Sequence, residues 1–255
     1  MEAHFLGVPD VSAWMFAGLM LASFCTAFFG VAFGAAGGLV LLAVLAMVFP
    51  PAILLPVHTT VQLGSNFSRL FIMWRWILRD TLLPFFAGTI LGAVAGARIF
   101  ISLPSAVLQG ILGGFILVMV WLPQMTRIGG RRGRFAVLGF GTTFLGVFVS
   151  STGTFLSPFV AGAAPDRRNY TATMAAMMTL VHSAKLAAFG AIGFAVGADV
   201  PLMAAMIGTG TLGNWLGKAV LDRTPEKAFR MVFKVMITLL ALRLLWVAAK
   251  GAGWV

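Results

Sequence analysis

Apolar residues run along this chain in long blocks with no alternation of polar positions. Six of these blocks, about 56–74, 81–103, 105–125, 170–196, 200–217 and 229–249, approach the roughly 20 residues a helix needs to cross about 30 Å of hydrocarbon. Two further regions, 11–49 and 135–164, are equally apolar but interrupted, the first at Gly34, Gly37 and Gly38, the second at Ser150, Ser151, Thr152 and Gly153. These predict helical hairpins or broken helices. The arm after each break runs about 11 residues before Pro50-Pro51 or Pro165-Asp166, roughly half the hydrocarbon thickness at 1.5 Å per residue. Re-entrant and fully crossing arms are both open, and the choice does not alter the orientation of the other spans. The pattern predicts an all-α, polytopic membrane protein.

Composition fits that reading. Of 255 residues, 60% are hydrophobic and 10% charged, with mean hydropathy +1.00, against about 25% charged in a soluble domain. The acids Glu2, Asp10, Asp80, Asp166, Asp199, Asp222 and Glu226 all fall at or beside breaks between apolar blocks. A net charge of +11 would suit a nucleic-acid binder if the bases shared a solvated face, but they sit between spans, so a lipid bilayer is the expected partner and nucleic acid is not. The clusters Arg75 and Arg79, Arg127 to Arg134, Arg167 and Arg168, and Lys218 to Lys234 alternate with loops that lack Lys and Arg. Basic loops face the cytoplasm, which predicts a bacterial inner-membrane protein with both termini periplasmic. No basic region precedes the first apolar stretch, so it is expected to be retained. Cys25, the single cysteine, lies inside an apolar run and is expected to be packing. No metal site, cofactor or catalytic constellation is expected. The dinucleotide-like GTGTLG at 208–213 lies within a span with no preceding strand, and is discounted.

Shifting the chain by 116 positions superposes Gly30 on Gly146, Gly37 on Gly153, Asn66 on His182, Arg69 on Lys185 and Gly92 on Gly208. Each half would hold one broken hairpin and three spans, residues 1–125 with hairpin 11–49 and residues 126–255 with hairpin 135–164. An odd number of full spans makes the second copy enter from the opposite side, giving two inverted repeats of a kind common in secondary transporters.

The candidate chemistry follows from charge in lipid. Lys185 falls near the middle of its span, where a cation costs several kcal/mol unless compensated, and no span contains Asp or Glu, so a transported anion is the expected counter-charge. His182, three residues earlier on the same helical face, either binds an oxyanion or packs. Arg69 and Asn66 are their counterparts, with Arg69 either reaching the site or extending to the interface. The breaks at Gly34, Gly37 and Gly38 and at Ser150, Ser151, Thr152, Gly153 and Thr154 would offer helix N-termini, whose free N–H groups attract anions. His58 and Thr59, just after Pro56, are read as lining an outer vestibule or capping a helix start. The stripe Gly88, Gly92 and Gly96 is read as helix packing.

The stretches GVAFGAAGGLVLLAVLAMVFPPAILLPVHTTVQLGSNFSR and GVFVSSTGTFLSPFVAGAAPDRRNYTATMAAMMTLVHSAK share a break, a short apolar arm, a Pro or basic turn and a Thr/Ser-dotted span. In this, and in length and internal duplication, the chain resembles the TauE/SafE sulfite exporter family, although its second break reads SSTGT where that pattern is richer in glycine. The resemblance implies a permease that moves sulfite or a related sulfur-containing anion or sulfonate without ATP. One half rocking against the other would give alternating access. The rival expectations are a non-transporting scaffold subunit and a membrane enzyme acting on a lipid-soluble substrate.

Overall fold

The computed structural model describes residues 5–33, 37–100, 103–121, 134–193 and 197–220, with a few positions between 238 and 250. Gly34, the arginine-rich linker before Arg134 and most of the expected span 229–249 lie outside the described residues. Nine helices are described: α1 (Ala13–Phe33), α2 (Gly37–Leu45), α3 (Pro51–Met73), α4 (Leu82–Phe100), α5 (Ser105–Trp121), α6 (Arg134–Val149), α7 (Gly153–Ala163), α8 (Arg167–Ala191) and α9 (Val200–Val220). No β-strand occurs among the described residues.

Local chemistry explains where the helices begin. Pro50 and Pro51 open α3, where the missing proline N–H would have had no partner anyway. Asp166 caps α8, its carboxylate accepting from Asn169 N at 2.8 Å, so one of the free N–H groups of the first turn is satisfied. The arms α2 and α7 hold 9 and 11 residues, about 14 and 17 Å at 1.5 Å per residue, too short to cross the hydrocarbon. The segments Ala13–Val31, Arg79–Phe100 and Arg167–Ala191 are long and apolar enough to do so. Helix starts recur at an offset of 116 residues, with Gly37 and Gly153 opening α2 and α7 and Pro51 and Arg167 opening α3 and α8.

Small residues set the packing. α4 packs on α6, α1 on α9 and α3 on α8. A methyl group added at Gly88 or Gly92 would collide with the backbone carbonyl of Ala136 or Phe140 on α6, and one at Gly139 with that of Phe85 on α4. Gly213 and Gly217 press on the Phe24 and Phe28 carbonyls of α1 in the same way. These contacts bring backbones together where lipid supplies no hydrophobic drive. Gly88→Ala is therefore expected to force α4 from α6 and cost about 1–3 kcal/mol, seen as a lowered unfolding temperature in detergent. Gly114, with open space around it, should tolerate alanine.

Large apolar side chains cover the perimeter: Phe71, Leu83 and Val137 are 76%, 78% and 72% exposed. A perimeter this apolar suits lipid and would be a liability in water. At one end of the bundle the guanidinium carbons of Arg75 and Arg79 stand 5.6 and 5.8 Å from the Trp74 ring, and that of Arg168 stands 5.7 Å from Trp76, the composition of a membrane interface. Asn169 Nδ2 donates to Trp76 O and Leu78 N donates to Thr173 Oγ1, tying the end of α3 to the start of α8.

Candidate functional site

The break between α6 and α7 is built around Ser150. Its φ of +58° is a left-handed conformation that costs a non-glycine residue of order 1–3 kcal/mol and persists only when its surroundings fix it. Four hydrogen bonds to its side chain and carbonyl do so. Lys185 Nζ on α8 donates to both Ser150 O and Ser150 Oγ, each at 3.1 Å. His58 Nδ1 on α3 lies 2.8 Å from Ser150 Oγ, and Thr59 Oγ1 lies 3.3 Å from it.

The directions of these bonds can be assigned. His58 Nε2 is 2.9 Å from Gly38 O, and a carbonyl only accepts, so Nε2 carries the proton. In the neutral ring Nδ1 is then an acceptor and takes the Ser150 hydroxyl proton. The two lone pairs of that hydroxyl receive Lys185 and Thr59. The side-chain polar atoms of Lys185, Ser150 and His58 all have partners, and the chain links the break before α7 to the start of α2. The two breaks abut directly: a methyl group at Gly38 would collide with Gln62 and lie 3.4 Å from Ser151 Oγ.

Beside this junction is a partly open cavity. Gly37 and Gly38 of α2, Ser151, Thr152 and Gly153 at the second break, Gln62, Asn66 and Arg69 of α3, and His182 of α8 contribute to its wall. Its interior leaves about 50 Å³ for the centres of water-sized molecules, several times the roughly 10–15 Å³ that holds one water. That suits a small oxyanion or a few waters. Arg69 stands on the wall as a cation; its Nη2 donates to Asn214 Oδ1 at 2.9 Å, and its Nε is buried without a partner among the described residues. Thr152 Oγ1 and His182 Nδ1 are also buried and unpartnered. The His182 ring packs edge-on to His58, centroids 6.4 Å apart. No carboxylate among the described residues contacts Arg69 or Lys185. The site is thus rich in donors, carries positive charge, and stands where α2 and α7 begin.

Several expected site residues are placed differently from the sequence reading. Lys185 is fully buried; its amine donates to Ser150 O and Oγ, and it is not among the residues that line the cavity. Arg69 does not extend to the interface as one reading allowed; it is half-buried and faces the cavity. The two occupy matching positions, since a methyl group would lie 3.4 Å from Arg69 Nη2 at Gly30 and 3.4 Å from Lys185 Cδ at Gly146. His58 and Thr59 are not at a vestibule: both are fully buried between the breaks. Asn66 lines the cavity while its Nδ2 donates to Gln62 O. Thr154 Oγ1 is buried and unpartnered outside the cavity wall.

Gln62 and Asn214 were missed by sequence reasoning. Gln62 had a signal, because it stands four residues from both His58 and Asn66 and so shares their helical face. Asn214 had none. Its amide donates to Ser65 O, Ser65 Oγ and Ser68 Oγ, which turns its oxygen to Arg69, and only the packing of α9 on α3 reveals that.

No curated protein and no solved structure matches the chain. The family described as sulfite exporter TauE/SafE matches it over residues 19–244, nearly its whole length. With its apolar helices and half-length arms, this multi-pass membrane protein belongs to the TauE/SafE sulfite exporter family.

Proposed function

We propose that the protein is a secondary transporter that exports a small sulfur-containing anion, sulfite first among them, across the bacterial inner membrane with both termini periplasmic. Residues 1–125 and 126–255 act as inverted repeats, and the cavity between their broken helices opens alternately to either side. Arg69 supplies the charge that holds the anion, with Gln62, Asn66, Thr152, His182 and the backbone N–H groups opening α2 and α7 as further donors. Lys185 and Ser150 hold the second break in place. The observation that carries this reading is the cavity itself, where unpartnered Arg69 Nε, Thr152 Oγ1 and His182 Nδ1 meet at two helix starts with no described carboxylate in contact with Arg69. Buried polar atoms of this kind are costly unless a ligand satisfies them.

The test is binding followed by flux. A ligand at 100 times its dissociation constant stabilises the folded state by about 2.7 kcal/mol, so sulfite should raise the unfolding temperature of the purified protein by several degrees, and chloride at equal ionic strength should not. Liposomes carrying the protein should then accumulate radiolabelled sulfite by counterflow. A protein that neither responds to sulfite nor moves it would overturn the proposal.

A further inference from the structure

We propose that His58 is a positioning residue of the transport site, a hydrogen-bonded bridge that holds the two helix breaks in register so that the starts of α2 and α7 address the same anion. This rests on the transport reading above and assigns a role to a side chain outside the cavity wall.

The geometry makes the bridge specific. His58 is fully buried, and its two ring nitrogens reach opposite breaks, Gly38 O at 2.9 Å and Ser150 Oγ at 2.8 Å. A neutral imidazole has one donor and one acceptor, and here each is used once, on a different helix start. The Gly38 carbonyl belongs to the first turn of α2, so a donor on it fixes that turn. The Ser150 hydroxyl belongs to the left-handed residue that ends α6, so an acceptor on its proton fixes the approach to α7. Lys185 and Thr59 complete the Ser150 end, and among the described residues neither hydrogen-bonds to the first break. The charged and titratable neighbours are Lys185 beyond Ser150, His182 with its ring 6.4 Å away, and Arg69 and Tyr170 across the cavity. None of these replaces the link from Ser150 to Gly38. Without it each break is held only by its own surroundings, and the donors around the anion lose their mutual alignment, which a binding site needs in advance.

The experiment uses the full chain in liposomes with radiolabelled sulfite as probe. H58L removes both bonds. H58Q keeps a donor near the position of Nε2, and H58N keeps an acceptor near that of Nδ1. The half-saturating sulfite concentration is expected to rise about tenfold in H58L, the worth of one to two ordinary hydrogen bonds, with H58Q and H58N between H58L and the wild type. Because both partners serve one bridge, the H58L/S150A double variant should be little worse than the poorer single variant. Unchanged half-saturation in H58L with only less folded protein, or fully additive effects in the double variant, would overturn the proposal. Should H58L not fold, H58Q and H58N decide it: wild-type half-saturation in both refutes the bridge. If the wild type moves no sulfite, the transport reading fails instead. The bridge is then tested by thermal unfolding, where losses for H58L and S150A that add in full would refute it.

Discussion

Arg69→Gln should reduce sulfite flux about a hundredfold while the protein still folds. Among the described residues Arg69 makes a single hydrogen bond, from Nη2 to Asn214, and it is only half-buried, so the fold loses little when it is shortened. A bound oxyanion would lose its charge partner and up to two charge-assisted hydrogen bonds, each worth about 1.5–3 kcal/mol. The lower end of that range for two bonds corresponds to roughly two powers of ten. Arg69→Lys should recover part of the flux, because it keeps the charge but loses the planar fork that grips two oxygens at once. Initial rates in liposomes, set against unfolding temperatures in detergent, separate the two effects. Equal flux in Arg69→Gln and the wild type would remove Arg69 from the site.

Lys185→Met should also cut transport, by a different route. The methionine is close in shape but leaves the Ser150 carbonyl and one lone pair of its hydroxyl without their donor. Unsatisfied groups at that depth cost about 1–3 kcal/mol, and the strained Ser150 then has less to hold it. Against this, a buried cation is removed, which by itself is favourable by several kcal/mol in lipid. The two terms oppose each other, so stability should change little while flux falls at least tenfold. Lys185→Arg should not rescue, because the pocket is fully enclosed and the side chain already lies against Gly146. Flux that survives in Lys185→Met would show that Ser150 keeps its position without the amine.

The breaks were legible because glycine and serine interrupt otherwise unbroken apolar runs, and α6 does end at Val149, with α7 starting anew at Gly153. The depth of Lys185 was legible for the same reason: its span has apolar residues on both sides. Its partner was not. A carbonyl freed by a helix break carries no signature in composition, so nothing in the sequence pointed to Ser150 O, to which the amine donates. His58 was misplaced because Pro56 was read as the start of its helix. The helix begins at Pro51, with Pro56 inside it, and His58 stands two turns deep. The same face of α3 then carries Gln62, Asn66 and Arg69. That polar stripe keeps α3 out of the set of strongly apolar spans, although it forms much of the cavity wall.

The glycine contacts have a bearing on how such a protein could change shape. α1 comes from the beginning of the chain and α9 from late in it, yet their backbones touch at Gly213 and Gly217; α4 and α6 touch likewise at Gly88, Gly92 and Gly139. Surfaces in backbone contact slide poorly, since every small displacement drives a carbonyl into a neighbouring α-carbon. Each of these seams therefore joins an early helix to a late one. Rocking of one half of the sequence against the other would have to tear both seams at once.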